Sequence, residues 1–99
     1  LAMQEIFLFI EGMEYADFME DVKTKAAVIR NLEIISEGAK LISEEMKSTY
    51  TIIEWKEMSA LRNKLIHEYF GIDYEIVWSV LKEHIPYNYE LIKRVLTEQ

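Results

Sequence analysis

The sequence has no cysteine, only one proline and only three glycines among its 99 residues. Without cysteine the chain forms no disulfides, no zinc–thiolate sites and no thiol nucleophiles. This composition suits a reducing compartment, and we expect the protein in the cytoplasm. Because proline and glycine are so rare, the chain lacks the turn residues that many short strands require, and the sequence predicts helices instead.

Long apolar runs are also absent. The longest, residues 6–10, is far shorter than the ~20 residues that cross a bilayer, so we expect no membrane association. No basic segment followed by an apolar stretch opens the chain, which gives no support for a signal peptide. The chain begins with Leu1 rather than methionine, and we expect further residues to precede it.

Basic residues are scarce. Eleven lysines and arginines against 18 aspartates and glutamates give a net charge of -7, which argues against a broad basic surface for nucleic acid. The charge is uneven, however. Residues 1–22 contain six acidic and no basic residues, whereas residues 55–70 contain three basic and two acidic residues. The net charge therefore does not exclude a locally neutral or basic pocket on this acidic protein.

Apolar residues recur at helical spacing along most of the chain. One predicted helix begins after Asp73, which serves as its N-cap, and stops at Pro86. Gly71 is expected to end the helix that precedes it, residues 55–70. Short connections favour an all-α fold, an up-and-down bundle of four to five helices that forms one domain over residues 1–99. The other predicted helical segments are residues 1–15, a short turn at 15–19, and 22–43, 55–70 and 87–97.

Four polar side chains able to take part in chemistry fall within eight residues: Arg62, Asn63, His67 and Tyr69. A guanidinium binds phosphate through paired hydrogen bonds, and an imidazole transfers a proton near neutral pH, so the set suits phosphate chemistry. On one continuous helix, Arg62 lies about 140° from His67, and either the length of the arginine side chain or a second copy across a dimer interface could bring the two groups together. The structural alternative is an ion pair of Arg62 with Glu57 or Glu68.

Other candidate sites are weaker. A di-iron bundle would need glutamate three residues before each histidine, where this chain has Lys64 and Leu81. Glu33 and Glu37 lie one turn apart, but paired acids on a helix are usually solvated surface. We interpret His84, near a predicted helix end, as a partner of the helix dipole.

Three segments in order resemble the HEPN superfamily, in the form seen in HepT-like toxins of prokaryotic toxin–antitoxin pairs. In chain order they are Ala-Val-Ile-Arg-Asn-Leu-Glu-Ile-Ile at 27–35, Arg-Asn-x-x-x-His-x-Tyr at 62–69 and Gly-Ile-Asp-Tyr-Glu-Ile-Val-Trp at 71–78. With Trp55 ahead of the motif, the similarity covers roughly residues 17–86. One departure is Glu54, which stands where many relatives have proline.

The resemblance implies an all-helical homodimer that acts as a metal-independent endoribonuclease, without a cofactor, through a composite site. Arg62 and His67 would be the catalytic pair, with Asn63 supporting the site. Tyr69 matches the tyrosine that an MNT-type nucleotidyltransferase antitoxin modifies with AMP. The rival hypothesis is a non-catalytic HEPN domain that binds a nucleotide or a protein partner, and a third is an inert helical bundle.

Overall fold

The computed structural model of this protein describes residues 2–67 and 71–98. Most of these residues are helical, which confirms the predicted all-α class in its main feature. Within the described ranges, no helix is long and apolar enough to cross a membrane. The helices are α1 (Ala2–Ile10), α2 (Tyr15–Glu20), α3 (Val22–Lys40), α4 (Glu44–Thr49), α5 (Trp55–Ser59), α6 (Leu61–Leu65), α7 (Tyr74–Ser79) and α8 (Ile85–Glu98), with a π-helical turn (Val80–His84) between α7 and α8.

Helix α3 is the central element and packs against α1, α2, α5 and α6. It begins at Asp21, whose side chain accepts a hydrogen bond from the Thr24 backbone N–H at 3.0 Å, as an N-cap does. Asn31 on α3 is buried and donates from Nδ2 to the Ala2 carbonyl and to Glu5 Oε1, both at 3.1 Å. These two bonds hold α1 against α3.

The core lies between α1, α2, α3 and the α7–α8 segment. Its largest fully buried apolar side chains come from α1, α2, α3 and the α7–α8 segment. Burial of their apolar area therefore stabilises the packing of the first helices against the last ones. A second, smaller cluster joins α3, α5 and α8 through Ala39, Met58 and Val95. The largest buried side chains are Phe18, Ile6, Leu32, Leu81, Ile85, Val28, Val77 and Val80.

The first two long helices are shorter than expected. The first ends at Ile10 rather than at residue 15, because Gly12 adopts a left-handed φ of 76° that interrupts the helix. The second ends at Lys40 rather than at residue 43, where Ser43 instead caps α4 by accepting from the Met46 N–H at 3.1 Å. The short helix near residues 15–19 is confirmed as α2.

The prediction that Pro86 stops a helix is wrong. Asp73 caps α7 as predicted, but the helix then continues through the π-helical turn into α8, where Pro86 is the second residue. In the turn, the Ile85 N–H donates to the Val80 carbonyl five residues earlier. Proline cannot make the usual bond to the carbonyl four residues back and its ring clashes there, so a wider turn accommodates it.

The helical spacing of Leu91, Ile92, Val95 and Leu96 predicts that the last helix buries all four side chains, and this prediction is partly wrong. Val95 is buried and Leu91 and Ile92 are half-buried, but Leu96 is 68% exposed. Helix α8 therefore presents a narrower face to the core than its sequence pattern predicts.

Candidate ribonuclease site

Helix α6 carries the first half of the motif, and both α6 and the preceding α5 pack against α3. Ser36 of α3 is fully buried, and its hydroxyl donates to the Ser59 carbonyl at 2.8 Å. Met58 and Leu61 are buried, while the Trp55 indole N–H donates to the Tyr50 carbonyl at 3.0 Å. These contacts fix the start of α6 on the core.

Arg62, Asn63 and Lys64 are exposed on α6. Among the described residues, no carboxylate lies within ion-pair distance of Arg62, so the predicted pair with Glu57 is not formed. Glu68 lies outside the described residues. An exposed guanidinium that no described carboxylate neutralises can bind an incoming phosphate with both edges of its fork.

The motif helix does not run to residue 70 as predicted. It ends at Leu65, and strand β1 (Ile66–His67) then pairs antiparallel with strand β2 (Gly71–Ile72), with His67 opposite Gly71. Gly71 was predicted to end the motif helix, a position that favours a left-handed residue, and its φ is indeed left-handed at 82°. It does not end a helix, however, but begins strand β2. Ile66 is β-branched and His67 is a weak helix former, so tertiary context readily overrides the helical pattern here.

This break changes the geometry expected for the motif. The structure places Arg62 and Asn63 on α6, whereas the backbone of His67 lies on β1, so the angle of about 140° for a single helix no longer applies. The side chain of His67 and the whole of Tyr69 lie outside what the structure describes.

A hydrogen-bonded cluster beside α6 was not predicted from the sequence. Asn88 is 1% exposed, and its Oδ1 accepts from the Glu54 backbone N–H while its Nδ2 donates to Glu54 Oε1, both at 2.8 Å. The same Nδ2 donates to the His84 carbonyl, and His84 Nδ1 lies 3.2 Å from Glu54 Oε1. The only sequence signal was Glu54 itself, in the place where many relatives of the family that the chain resembles have proline.

The interpretation of His84 as a dipole partner is therefore wrong, because the helix continues past it and its ring contacts a carboxylate instead. Burial of the Glu54 carboxylate raises its pKa, but the hydrogen bonds from Asn88 and His84, with the charges of His84 and Lys64, outweigh burial and lower the pKa below its ordinary 4.5. Glu54 is thus ionised at neutral pH and can only accept hydrogen bonds. His84 Nδ1 is consequently the donor in this pair.

Lys64 and His84 line one depression of about 290 Å³ next to α6. Its other lining residues come from the start of α7 and from the turn after it, and they include Asp73, Glu75 and Ser79. Asp73 is occupied as the N-cap of α7, accepting from the backbone N–H groups of Glu75 and Ile76 at 3.1 and 3.3 Å.

A larger groove of about 650 Å³ runs between α1, α3 and α8 on another part of the surface. Its lining is mostly apolar and includes Met3, Ile34, Met58, Ile92 and Leu96. Since it contains none of the motif residues, it is separate from the candidate catalytic site. Within the described residues, no three histidine, aspartate or glutamate side chains come together in a group that could hold a metal ion.

Comparisons with known proteins confirm the family resemblance. A family model described as ribonuclease HepT-like matches residues 1–95. A Methanocaldococcus jannaschii protein provisionally named as an RNase is 40% identical over 97% of this chain and 79% of its own length. A Thermococcus cleftensis protein provisionally named ribonuclease HepT is 45% identical over 86% of this chain and 77% of its own length. No solved structure matches the chain.

Proposed function

We propose, from the premise that this chain belongs to the HepT-like ribonuclease family, that it is an endoribonuclease toxin whose catalytic residues are Arg62 and His67. The observation that carries the proposal is the exposed Arg62 on a short helix anchored to the core, four positions before the strand that carries His67. The ribonuclease names of the relatives support RNA as the substrate class.

The proposed chemistry is transfer of the RNA phosphoryl group to the neighbouring ribose oxygen. The Arg62 guanidinium binds the scissile phosphate and stabilises the charge that develops on its oxygens. His67 accepts the proton of the 2′-hydroxyl as this oxygen forms a bond to phosphorus and the bond from phosphorus to O5′ breaks. The products are a 2′,3′-cyclic phosphate and a 5′-hydroxyl. Asn63, one residue from Arg62, supports the site by donating hydrogen bonds to phosphate.

No metal ion or cofactor takes part in this mechanism, because Arg62 supplies the positive charge and His67 the proton transfer. The acidic protein, with net charge -7, neutralises few phosphates. We therefore expect weak RNA binding, with a decrease on adding salt that reflects only a few phosphate contacts.

The active species is a homodimer in which the motif segments of two copies form one composite site. Exposed apolar side chains such as Leu41 and Leu96, at 85% and 68% exposure, provide surface that association would bury. Sedimentation analysis tests this part, and a protein that stays monomeric at the concentration where it cleaves RNA would contradict it.

A nucleotidyltransferase antitoxin of the MNT type is the partner that neutralises the toxin. Transfer of AMP to Tyr69, two residues after His67, would add bulk and negative charge next to the site and oppose RNA entry. Mass spectrometry of the chain co-expressed with its antitoxin should find one AMP on Tyr69 and none on a Tyr69→Phe variant.

The test of the proposed function is cleavage of total cellular RNA in the presence of a chelator, by the wild type and by Arg62→Ala and His67→Ala variants. We expect chelator-resistant cleavage by the wild type and loss of cleavage in both variants. Binding of RNA or nucleotide without any cleavage would contradict the proposal and favour a non-catalytic binding domain.

A further inference from the structure

The helical turn before Arg62 continues the face on which Arg62 and Asn63 lie. Helical hydrogen bonds pass across the junction of α5 and α6, since the Ala60 N–H donates to the carbonyl four residues earlier at 3.1 Å and the Ala60 carbonyl accepts from the N–H four residues later at 3.0 Å. Residues three or four positions apart are neighbours on a helix surface. Ser59, three positions before Arg62 and four before Asn63, therefore shares a face with both.

A depression of about 440 Å³, the Lys56 depression, reaches this face at Ser59. Its volume lies in the range of small-molecule binding sites. Lys56 also lines it and comes three positions before Ser59, so that Lys56, Ser59 and Asn63 follow one another along the helix surface. The other lining residues come from α4, from the loop after it and from α5, and they are Glu44, Lys47, Thr51, Ile53, Trp55 and Glu57.

We propose that the Lys56 depression binds the RNA strand beside the scissile phosphate. Lys56 binds the phosphate of a flanking nucleotide, and the base of that nucleotide packs against Ile53 and Trp55. The inference rests on the proposed function, because it takes the reacting phosphate to lie at Arg62.

The positions of Lys56 and Arg62 suit two phosphates of one strand. They lie on either side of Ser59, each about 60° around the helix, and are about 9 Å apart along its axis. Both side chains are exposed. A single phosphate would require the two long side chains to bend toward each other, whereas successive phosphates allow one contact for each cation.

Lys56 is the cation of the depression that suits a phosphate. Among the described residues, no carboxylate lies within ion-pair distance of it. Lys47, by contrast, lies 3.7 Å from a carboxylate oxygen of Glu44. Glu57 also lines the depression, but it is two positions from Ser59 and therefore lies about 160° away around the helix.

Ile53 and Trp55 provide apolar surface for a base. Ile53 is 3% exposed and Trp55 is half-buried, with its indole N–H bound to the Tyr50 carbonyl at 3.0 Å, which fixes the ring. Nucleobases pack on aromatic side chains with little regard to sequence, because every base has a π face. The exposed Thr51 adds a hydroxyl that can donate or accept a hydrogen bond. The depression thus offers a cation, apolar surface and a hydroxyl to one nucleotide.

Lys64 marks the other side of the same helix. It is two positions from Arg62 and lies about 160° away around the helix, where it lines a different depression together with His84. A strand bound at Arg62 therefore passes the Lys56 depression and not that one.

The test measures binding of a 2′-O-methyl oligonucleotide of about ten nucleotides, within the usual range for a single-strand site. This probe cannot be cleaved by the proposed reaction, because it has no 2′-hydroxyl to attack phosphorus. Lys56→Gln removes the charge and keeps a polar side chain. We expect its Kd to rise about five- to tenfold. The slope of the logarithm of affinity against the logarithm of salt should fall in magnitude by about 0.7, the value for one phosphate of a single strand.

Lys82→Gln is the matched control, because Lys82 is an exposed lysine of the π-helical turn that does not line the Lys56 depression. It should bind the probe as the wild type does. Three results would overturn the proposal: no binding of the probe by the wild type, a Kd and salt slope of Lys56→Gln equal to those of the wild type, or equal losses in the two variants.

The contact with the base has its own measurement. The chain contains two tryptophans, and Trp78→Phe leaves Trp55 as the only one. Saturating probe should change the fluorescence of Trp55 in this variant. Bound probe without such a change would contradict the packing of a base against Trp55.

Cleavage of a natural RNA of the same sequence separates this proposal from the proposed function. Lys56→Gln should raise KM and leave kcat unchanged, as loss of a contact made equally before and during the reaction does. If the wild type binds the probe through Lys56 but cleaves no RNA, the proposed function fails and the RNA contact stands. If it cleaves RNA while Lys56→Gln binds the probe normally, the RNA contact alone fails.

Discussion

Helix α3 and the segment that carries the proposed catalytic residues are built in opposite ways. Over 19 residues α3 buries Val28, Asn31, Leu32, Ser36 and Ala39. In its described part, the motif segment instead comprises the five-residue α6 and two strands of two residues each, and Arg62, Asn63 and Lys64 on α6 are all exposed.

This contrast indicates that α3 stabilises the fold, whereas α6 presents side chains to a ligand. A side chain buried on α3 contributes through apolar burial and packing, whereas an exposed side chain on α6 contributes little to folding and is available to RNA. The two regions meet at the Ser36–Ser59 hydrogen bond, through which the core holds the motif helix. Substitutions in one region should therefore change unfolding, and substitutions in the other should change cleavage.

The largest effect on stability is expected for Leu32→Ala, since Leu32 is 1% exposed at the centre of α3. Removing a buried leucine side chain should lower the free energy of unfolding by about 2–5 kcal/mol in urea denaturation. Leu8→Ala is the matched control, because Leu8 is 70% exposed on α1 and the same change there should stay within about 0.5 kcal/mol. Equal losses for both variants would mean that α3 is not the stabilising centre.

Arg62→Ala should lower the rate of RNA cleavage and leave the stability of the fold unchanged. We expect a loss of about 100- to 1000-fold in RNA cleavage, the range for removing a group that stabilises a transition-state oxyanion, with the unfolding midpoint unchanged. Lys40→Ala removes an exposed charge from α3 and should leave the cleavage rate unchanged. A large drop in the midpoint of Arg62→Ala would show that the arginine is structural.

Asn88→Ala tests the hydrogen-bonded cluster of Glu54, His84 and Asn88 beside the motif helix. It removes the amide that joins Glu54, His84 and the backbone, and leaves buried polar groups without their bonds. We expect a loss of about 1–3 kcal/mol in the free energy of unfolding. A stability equal to that of the wild type would indicate that the cluster contributes nothing to holding the site.

The smallest effect concerns Glu54 and depends on pH. Its pKa is lower in the folded chain than its ordinary 4.5, so its stabilising contribution is present above that value and is lost as the pH falls through the folded pKa. The wild type should exceed Glu54→Gln by at most about 1 kcal/mol at neutral pH, and the difference should shrink near pH 3.5. Urea denaturation at both pH values measures it, and a difference that grows on acidification would contradict the assignment.

Local rules predicted the parts of the fold that depend on nearby residues. The cap at Asp73 and the left-handed φ of Gly71 follow from hydrogen bonding and backbone sterics within a few residues, and the structure has both. The prediction that Pro86 stops the helix failed because the effect of a proline depends on the width of the helical turn before it. The sequence pattern does not reveal that width.

The candidate site was predictable only in part. The motif residues could be identified from their types and spacing, but the end of α6 at Leu65 could not, because apolar periodicity continues into the strand that follows. The cluster of Glu54, His84 and Asn88 joins residues at least 30 positions apart in two of its three pairs, so no local pattern signals it. Such contacts depend on how α5 and the π-helical turn pack together.

Cleavage of RNA by the wild type and by Arg62→Ala and His67→Ala, in chelator and with analysis of the ends produced, tests the central claim most directly. The account predicts 2′,3′-cyclic phosphate and 5′-hydroxyl ends from the wild type, and no cleavage by either variant at unchanged unfolding midpoints. Ends bearing a 5′-phosphate, or cleavage that survives both substitutions, would contradict it.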